Sequence, residues 1–210
     1  MPRPTLHDTD ALLDAARDLI VEGGPQAAGI RAIAERSGAP SGSLYHRFGS
    51  RDALVARAWL RAVRRFQAGF IPALDADDPR AGVADAVRWA VLFAVNERAD
   101  AQLLLAHGRR DLLHAEPQGL LAAELATVNE PLVQATRAIT VRLFGRASGE
   151  AVERVSYAIV DLPLAVLRRH LRAGTLTAGT ASILAGAART LIADAPYPNV
   201  RSARHQKGQP

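Results

Sequence analysis

The chain has 210 residues, 49% hydrophobic and 22% charged, with a net charge of +5; this suits one or two globular domains with a real core and not a disordered chain. It has no cysteine, which excludes disulfides, thiolate metal sites, iron–sulfur clusters and a cysteine nucleophile. Met1 to Asp8 lack the apolar run of a secretory signal, and no apolar stretch reaches the roughly 18 residues of a membrane span, so a cytoplasmic protein without membrane contact is expected.

Arg supplies every basic residue except Lys207. The positive charge is uneven: residues 51–70 hold five Arg against one Asp. A basic segment of this kind suits a polyanion, although charge alone does not identify one.

The chain reads as helical throughout, because Ala, Leu and Arg dominate and no segment alternates with period two. A first helix starts near Thr9, capped by Asp8 or Thr9, and is stopped by Gly23-Gly24-Pro25. Its apolar face is Leu12, Leu13, Ala16, Leu19 and Ile20. A short second helix covers 30–36, and Ser37-Gly38-Ala39-Pro40 forms a turn in which Pro40 keeps Ala39 out of helical geometry. A third helix covers 41–48. Ser50 caps a long fourth helix, predicted to end near Phe70, before Pro72. Asp75 to Pro79 reads as a linker. Longer amphipathic helices follow near 80–97, 100–114, 118–146, 149–172 and 177–193. Pro131 and Pro163 should kink them or mark restarts, with Asn129 a cap before Pro131.

Residues 29–54 carry the strongest signal. Two short helices joined by a turn containing Gly38 have helix-turn-helix spacing. The second is unlike a core helix. Only Leu44 and Phe48, four residues apart, are clearly inward. Ser41, Gly42, Ser43, Tyr45, His46 and Arg47 leave a small, donor-rich surface of the kind that fits a major groove.

This stretch resembles the DNA-binding domain of the TetR family of bacterial transcriptional regulators. The family's Ile-Ala, turn, Gly-x-Leu-Tyr-x-x-Phe and Ser-Lys-Glu-x-Leu elements stand here as Ile33-Ala34, Ser37-Gly38-Ala39, Gly42 to Phe48, and Ser50-Arg51-Asp52-Ala53-Leu54. The likeness covers roughly residues 8–55. There are departures: Gly29 replaces a capping Thr, Pro40 replaces the usual Ser or Thr cap and leaves Ser41 to take over that role, and Arg51 replaces Lys at a phosphate contact. DNA contacts are expected from Arg31, Ser41, Gly42, Ser43, Tyr45, His46, Arg47 and Arg51; Arg31 reads equally as solvated, Arg47 is variable in the family, and Ser41 and Ser43 also read as satisfying the helix N-terminus. The series Arg57, Arg61, Arg64 and Arg65 reads as a solvated face.

The fold class expected is therefore all-α. A three-helix helix-turn-helix DNA-binding domain occupies 1–55 and continues into a connecting helix over 50–70. A larger effector-binding and dimerisation domain occupies 56–195, and a disordered tail 196–210. The resemblance further implies a homodimer on a palindromic double-stranded operator. Its seam would be built from Ser156, Ile159, Pro163, Val166 and Leu167 on one helix, and Ser182, Ala185, Gly186 and Ala188 on the next. A small-molecule effector, apolar or aromatic, is expected against Trp89, Phe93, Asn96, His107, Tyr157 and Asp161. Trp89 and Phe93 read more readily as core than as a ligand box, and Tyr157 and Asp161 also read as part of the dimer seam. His107, Asp111 and His114 follow helical spacing, but Arg109 and Arg110 beside them favour a surface ion-pair cluster over a metal site. No cofactor is implied, and no Walker A loop, G-x-S-x-G or H-E-x-x-H supports an enzyme. The competing readings are a small helical enzyme and an architectural DNA-binding protein without an effector.

Overall fold

The computed structural model describes residues 8–196; the tail expected to be disordered falls, from residue 197 on, outside them. All regular structure among the described residues is helical. Helix α1 (Thr9–Gly23) is capped by the Asp8 carboxylate, which accepts from the Asp10 N–H at 3.1 Å, and it buries Leu12, Leu13, Ala16 and Ile20. A 3-10 turn (Pro25–Ala27) leads to α2 (Ile30–Ser37). Gly38 ends α2 at φ 70°, a left-handed conformation that glycine adopts without a Cβ penalty. Helix α3 spans Ser41–Phe48. The Ser50 hydroxyl accepts from the Ala53 N–H at 3.1 Å and opens α4 (Arg51–Leu74).

Helix α4 runs through Pro72 instead of stopping before it. The proline falls in the last turn, where a missing N–H costs one bond, while Phe70 and Leu74 on either side are both buried in the core. That burial outweighs the local signal. Helix α5 (Pro79–Asn96) starts where Asp78 accepts from the Arg80 N–H at 2.9 Å.

The single helix expected over 100–114 is two, α6 (Arg98–Ala106) and α7 (Arg109–Leu112), because the backbone turns extended at His107 and Gly108. The segment 118–146 also divides, into α8 (Gly119–Thr127) and α9 (Glu130–Phe144), with Pro131 in the first turn of α9. Pro163 produces a register change: α10 (Gly149–Ser156) widens into a π-helical turn (Tyr157–Asp161) before α11 (Leu162–Ala173), and the Leu162 N–H reaches back to the Tyr157 carbonyl. A π turn absorbs the donor that proline lacks. Helix α12 is Thr180–Leu191.

Three apolar clusters share α4 as a wall. The first joins α1, α2, α3 and the start of α4, and takes in Leu103 of α6 and Leu112 of α7. The second, around Phe70, Val87, Phe93, Ile139, Val155 and Leu184, fills the C-terminal half. The third sets Leu60 of α4 against Leu121 and Leu125 of α8. No helix among the described residues is long and apolar enough to cross a membrane.

Candidate nucleic-acid interface and ligand cavity

On α3, Leu44 and Phe48 are buried, which anchors one face and turns the other outward. Ser41, Gly42, Tyr45, His46 and Arg47 are exposed, Ser43 is half-buried, and Arg31 on α2 is exposed. Ser41 does not cap the helix. Pro40 holds the cap position without a side-chain bond, and Ser41 is the first helical residue. The Ser43 hydroxyl donates to the Pro40 carbonyl at 2.7 Å, and Arg47 Nη1 donates to Thr9 Oγ1 at 3.1 Å. A Cβ at Gly42 would meet nothing within 4 Å, so no packing within this chain requires glycine there.

Arg51 departs from the expected phosphate contact. Its guanidinium is turned inward and donates to the carbonyls of Ala28 at 3.2 Å, Leu112 at 2.5 Å and Pro25, and to Asp52 Oδ1 at 2.7 Å. It therefore ties the entry to α2 onto α7. Burial alone would raise the Asp52 carboxyl; hydrogen bonds from Arg51 and from the Ala115 and His114 backbone outweigh it and hold the carboxyl below the ordinary aspartate range. The Arg series on α4 is not simply a solvated face either. Arg61 pairs with Asp10 at 2.7 Å and with Asp14, Arg64 with Glu124 at 2.8 Å, and Arg65 with Asp100 at 3.1 Å. These pairs fasten α4 to α1, α8 and α6.

A cavity of about 200 Å³ lies between α4, α5, α6, α9 and α11. Its aromatic wall is Phe66, stacked on Phe70 at 4.9 Å between centroids and edge-on to Phe93 at 5.4 Å. Leu104 and Leu105 of α6 close another side. The polar groups are two amides, Gln67 and Asn129; Gln67 Nε2 donates to the Val128 carbonyl at 2.8 Å and to Asn129 Oδ1 at 3.4 Å.

Of the six residues expected around an effector, Phe93 alone lines this cavity. Trp89 stands behind it: Nε1 donates to the Phe66 carbonyl at 2.9 Å, and the ring packs on Gly69. Asn96 is exposed at the end of α5. His107 lies in a separate surface groove with Arg168 and Arg172. Tyr157 and Asp161 share an open groove with Leu191 of α12, and the Tyr157 hydroxyl donates to Glu153 Oε1 at 2.6 Å. His107, Asp111 and His114 share no helix, since α6 ends before His107 and α7 before His114. Gln67 was the legible signal that the sequence reading missed, an amide between Val63 and Phe70 on an otherwise apolar stripe.

The residues expected in a seam divide between core and surface: Ser156 and Val166 are half-buried, and Ser182 and Gly186 exposed. Ile159, Pro163, Leu167, Ala185 and Ala188 are buried within the protomer's own core. The apolar side chains left exposed on these elements are Tyr157, Ile183 and Leu191.

An exposed, donor-bearing second helix in a helix-turn-helix has the geometry that enters a major groove. The model of bacterial regulatory proteins of the tetR family matches residues 12–58. No curated relative matches by sequence. Among solved structures, a TetR-like regulator from Rhodococcus sp. RHA1 is similar at TM-score 0.65 and 19% identity, over 98% of this chain and 100% of that one. The fatty acid degradation regulator FadR from Bacillus halodurans is similar at TM-score 0.67 and 14% identity, over 89% and 98%. FadR from Bacillus subtilis, in complex with stearoyl-CoA, is similar at TM-score 0.65 and 12% identity, over 91% and 100%. The helix-turn-helix segment thus matches the tetR-family model over residues 12–58, and the described residues share the all-α fold of these TetR-like structures.

Proposed function

We propose that this protein is a homodimeric, cytoplasmic transcriptional repressor, not an enzyme, that binds a palindromic operator and leaves it when a small apolar molecule fills the cavity. The carrying observation is the outward face of α3, where Ser41, Gly42, Tyr45, His46 and Arg47 stand exposed over a buried Leu44–Phe48 anchor. Tyr45 and His46, with Arg31 and Arg47, position the helix on phosphates, and Ser41 and Ser43 approach base edges. Gly42 supports this reading. Glycine inside a helix costs about 1 kcal/mol relative to alanine, and the chain gains no packing from it, which suits close approach of a nucleic-acid backbone.

The cavity favours an effector-responsive regulator over an architectural protein. A ligand with unequal affinity for two arrangements of α4 and α6 changes operator affinity through that difference alone. A gel-shift titration with the selected operator tests the DNA reading. Tyr45→Ala combined with His46→Ala is expected to weaken binding to all sequences, and Gly42→Ala to weaken it while the protein becomes no less stable. Wild-type affinity in the double variant would refute the placement of α3 on DNA.

A further inference from the structure

Resting on the reading of this cavity as the effector site, we infer its ligand class: an uncharged, single-ring alcohol or phenol, with the ring among Phe66, Phe70 and Phe93 and the hydroxyl bridging Gln67 and Asn129.

Size sets the first limit. An apolar cavity of about 150 Å³ takes up benzene, so a volume of about 200 Å³ holds one ring with a short alkyl substituent. Charge sets the second. No Arg, Lys, His, Asp or Glu lines the cavity. A carboxylate or phosphate would lose its water there without gaining a partner, at a cost of several kcal/mol or more. The Bacillus subtilis relative was solved with stearoyl-CoA; here neither a long acyl chain nor an anionic head group has a place inside. The aromatic wall sets the third. Phe66 stacks on Phe70 and stands edge-on to Phe93, geometries that a further ring extends favourably.

The amide corner selects the functional group. A carbonyl only accepts, so the bond to the Val128 carbonyl fixes which end of the Gln67 amide carries its NH₂. That NH₂ also reaches Asn129 Oδ1. Gln67 Oε1 and Asn129 Nδ2 remain, one acceptor and one donor; among the described residues nothing donates to that Oε1. Gln67 is buried and Asn129 exposed, so this corner is the mouth of the cavity. A hydroxyl donates and accepts at once. An ether, a ketone or a carboxylate only accepts and would leave Gln67 Oε1 unsatisfied against an apolar ligand.

Calorimetric titration of the full-length protein at neutral pH tests this with three matched probes: para-isopropylphenol, its methyl ether para-isopropylanisole, and para-isopropylbenzoate. The phenol is expected to bind saturably at one site per chain, the ether about tenfold more weakly, and the benzoate not at all. Gln67→Leu removes the acceptor that the ether leaves unsatisfied, so the roughly tenfold gap between phenol and ether should close, the phenol losing affinity and the ether losing none. Asn129→Ala probes the same corner from an exposed position, without disturbing the core, and should weaken phenol and ether alike, since either oxygen can accept from Nδ2. Leu104→Phe, which narrows the cavity, should weaken both. Equal binding of phenol and ether, benzoate binding as tight as phenol, or no saturable phenol binding at millimolar concentration overturns the inference. A gel shift with the same phenol separates the two readings. Binding without operator release retains the ligand class and removes the effector role; release by an anionic compound with no phenol binding removes the ligand class alone.

Discussion

Arg17 Nη1 lies 2.9 Å from Asp100 Oδ1, and the pair joins α1 of the helix-turn-helix to the first turn of α6. Asp100 is 1% exposed and also takes Arg65 of α4 at 3.1 Å. The next residue, Ala101, lines the cavity, and Leu103 of the same helix packs into the helix-turn-helix core, so α6 touches both sites and Asp100 is the charged link between them. Asp100→Asn is expected to cost about 2 kcal/mol in urea unfolding. That is below the roughly 3–5 kcal/mol of a broken buried pair, because Arg17 keeps Asp14 and Asp18 and the Arg65 side chain is 40% exposed. The variant should also show a smaller change of operator affinity on adding cavity ligand. A folded variant with the full ligand response would remove Asp100 from the coupling.

Arg51 gives a second test, since its four acceptors belong to the protein itself. Hydrogen bonds to charged groups contribute about 1.5–3 kcal/mol each and are not additive. Arg51→Lys keeps the charge but not the planar fork, so thermal stability should fall by at least about 2 kcal/mol. The salt dependence of operator binding should stay as in wild type. Arg47→Ala, on the outward face of α3, should instead lower the log–log salt slope by about one. An unaltered melting temperature in Arg51→Lys would return this residue to the DNA surface.

The N-terminal elements were legible because their signals are local. Asp8, Gly24, Gly38, Pro40, Gly49 and Ser50 each sit at a helix boundary, where cap and turn chemistry acts within a few residues. Local reading failed where tertiary burial decided. Pro72 reads as a stop, yet Phe70 and Leu74 carry α4 past it. His107-Gly108 reads as helix interior, yet the break lets Leu112 join the helix-turn-helix core. The cavity failed for the same reason. Its aromatic wall combines Phe66 and Phe70 of α4 with Phe93 of α5, whereas periodicity along one helix pairs Phe93 with Trp89. What holds Trp89 behind the wall is a carbonyl on a different helix, and no spacing within α5 encodes it.

Gly69 carries a prediction of reversed sign. Glycine to alanine in a helix interior ordinarily stabilises by about 1 kcal/mol. Here a Cβ on Gly69 would run into the Trp89 indole, which is held by its bond to the Phe66 carbonyl. Gly69→Ala should therefore destabilise by about 1–3 kcal/mol through overpacking. In denaturant unfolding, Gly69→Ala with Trp89→Phe should recover part of that loss, because the smaller ring gives room. A more stable Gly69→Ala would mean that the indole moves freely and that α4 and α5 are not locked at this crossing.

The oligomer prediction rests on α12. Ile183 is 74% exposed, and Ala187 and Leu191 follow it at four-residue spacing beside Tyr157 and Leu162. Ile159 and Ala185, in contrast, are 2% and 1% exposed within the protomer core, so a charge at either would break the fold before it tested a dimer. Ile183→Arg places the charge on the outer face. As a surface change it should alter protomer stability by no more than about 0.5 kcal/mol. In a two-fold interface burying about 2,000 Å² or more, the same charge meets its own copy without a counter-ion and should split the dimer. Sedimentation velocity at micromolar concentration should then show a folded monomer with unchanged helical circular dichroism. Affinity for a full palindrome should collapse toward that for a half-site, since the two recognition helices are no longer linked. Ile183→Arg sedimenting as a dimer would place the interface elsewhere and leave the outer face of α12 solvent-facing in the assembled protein.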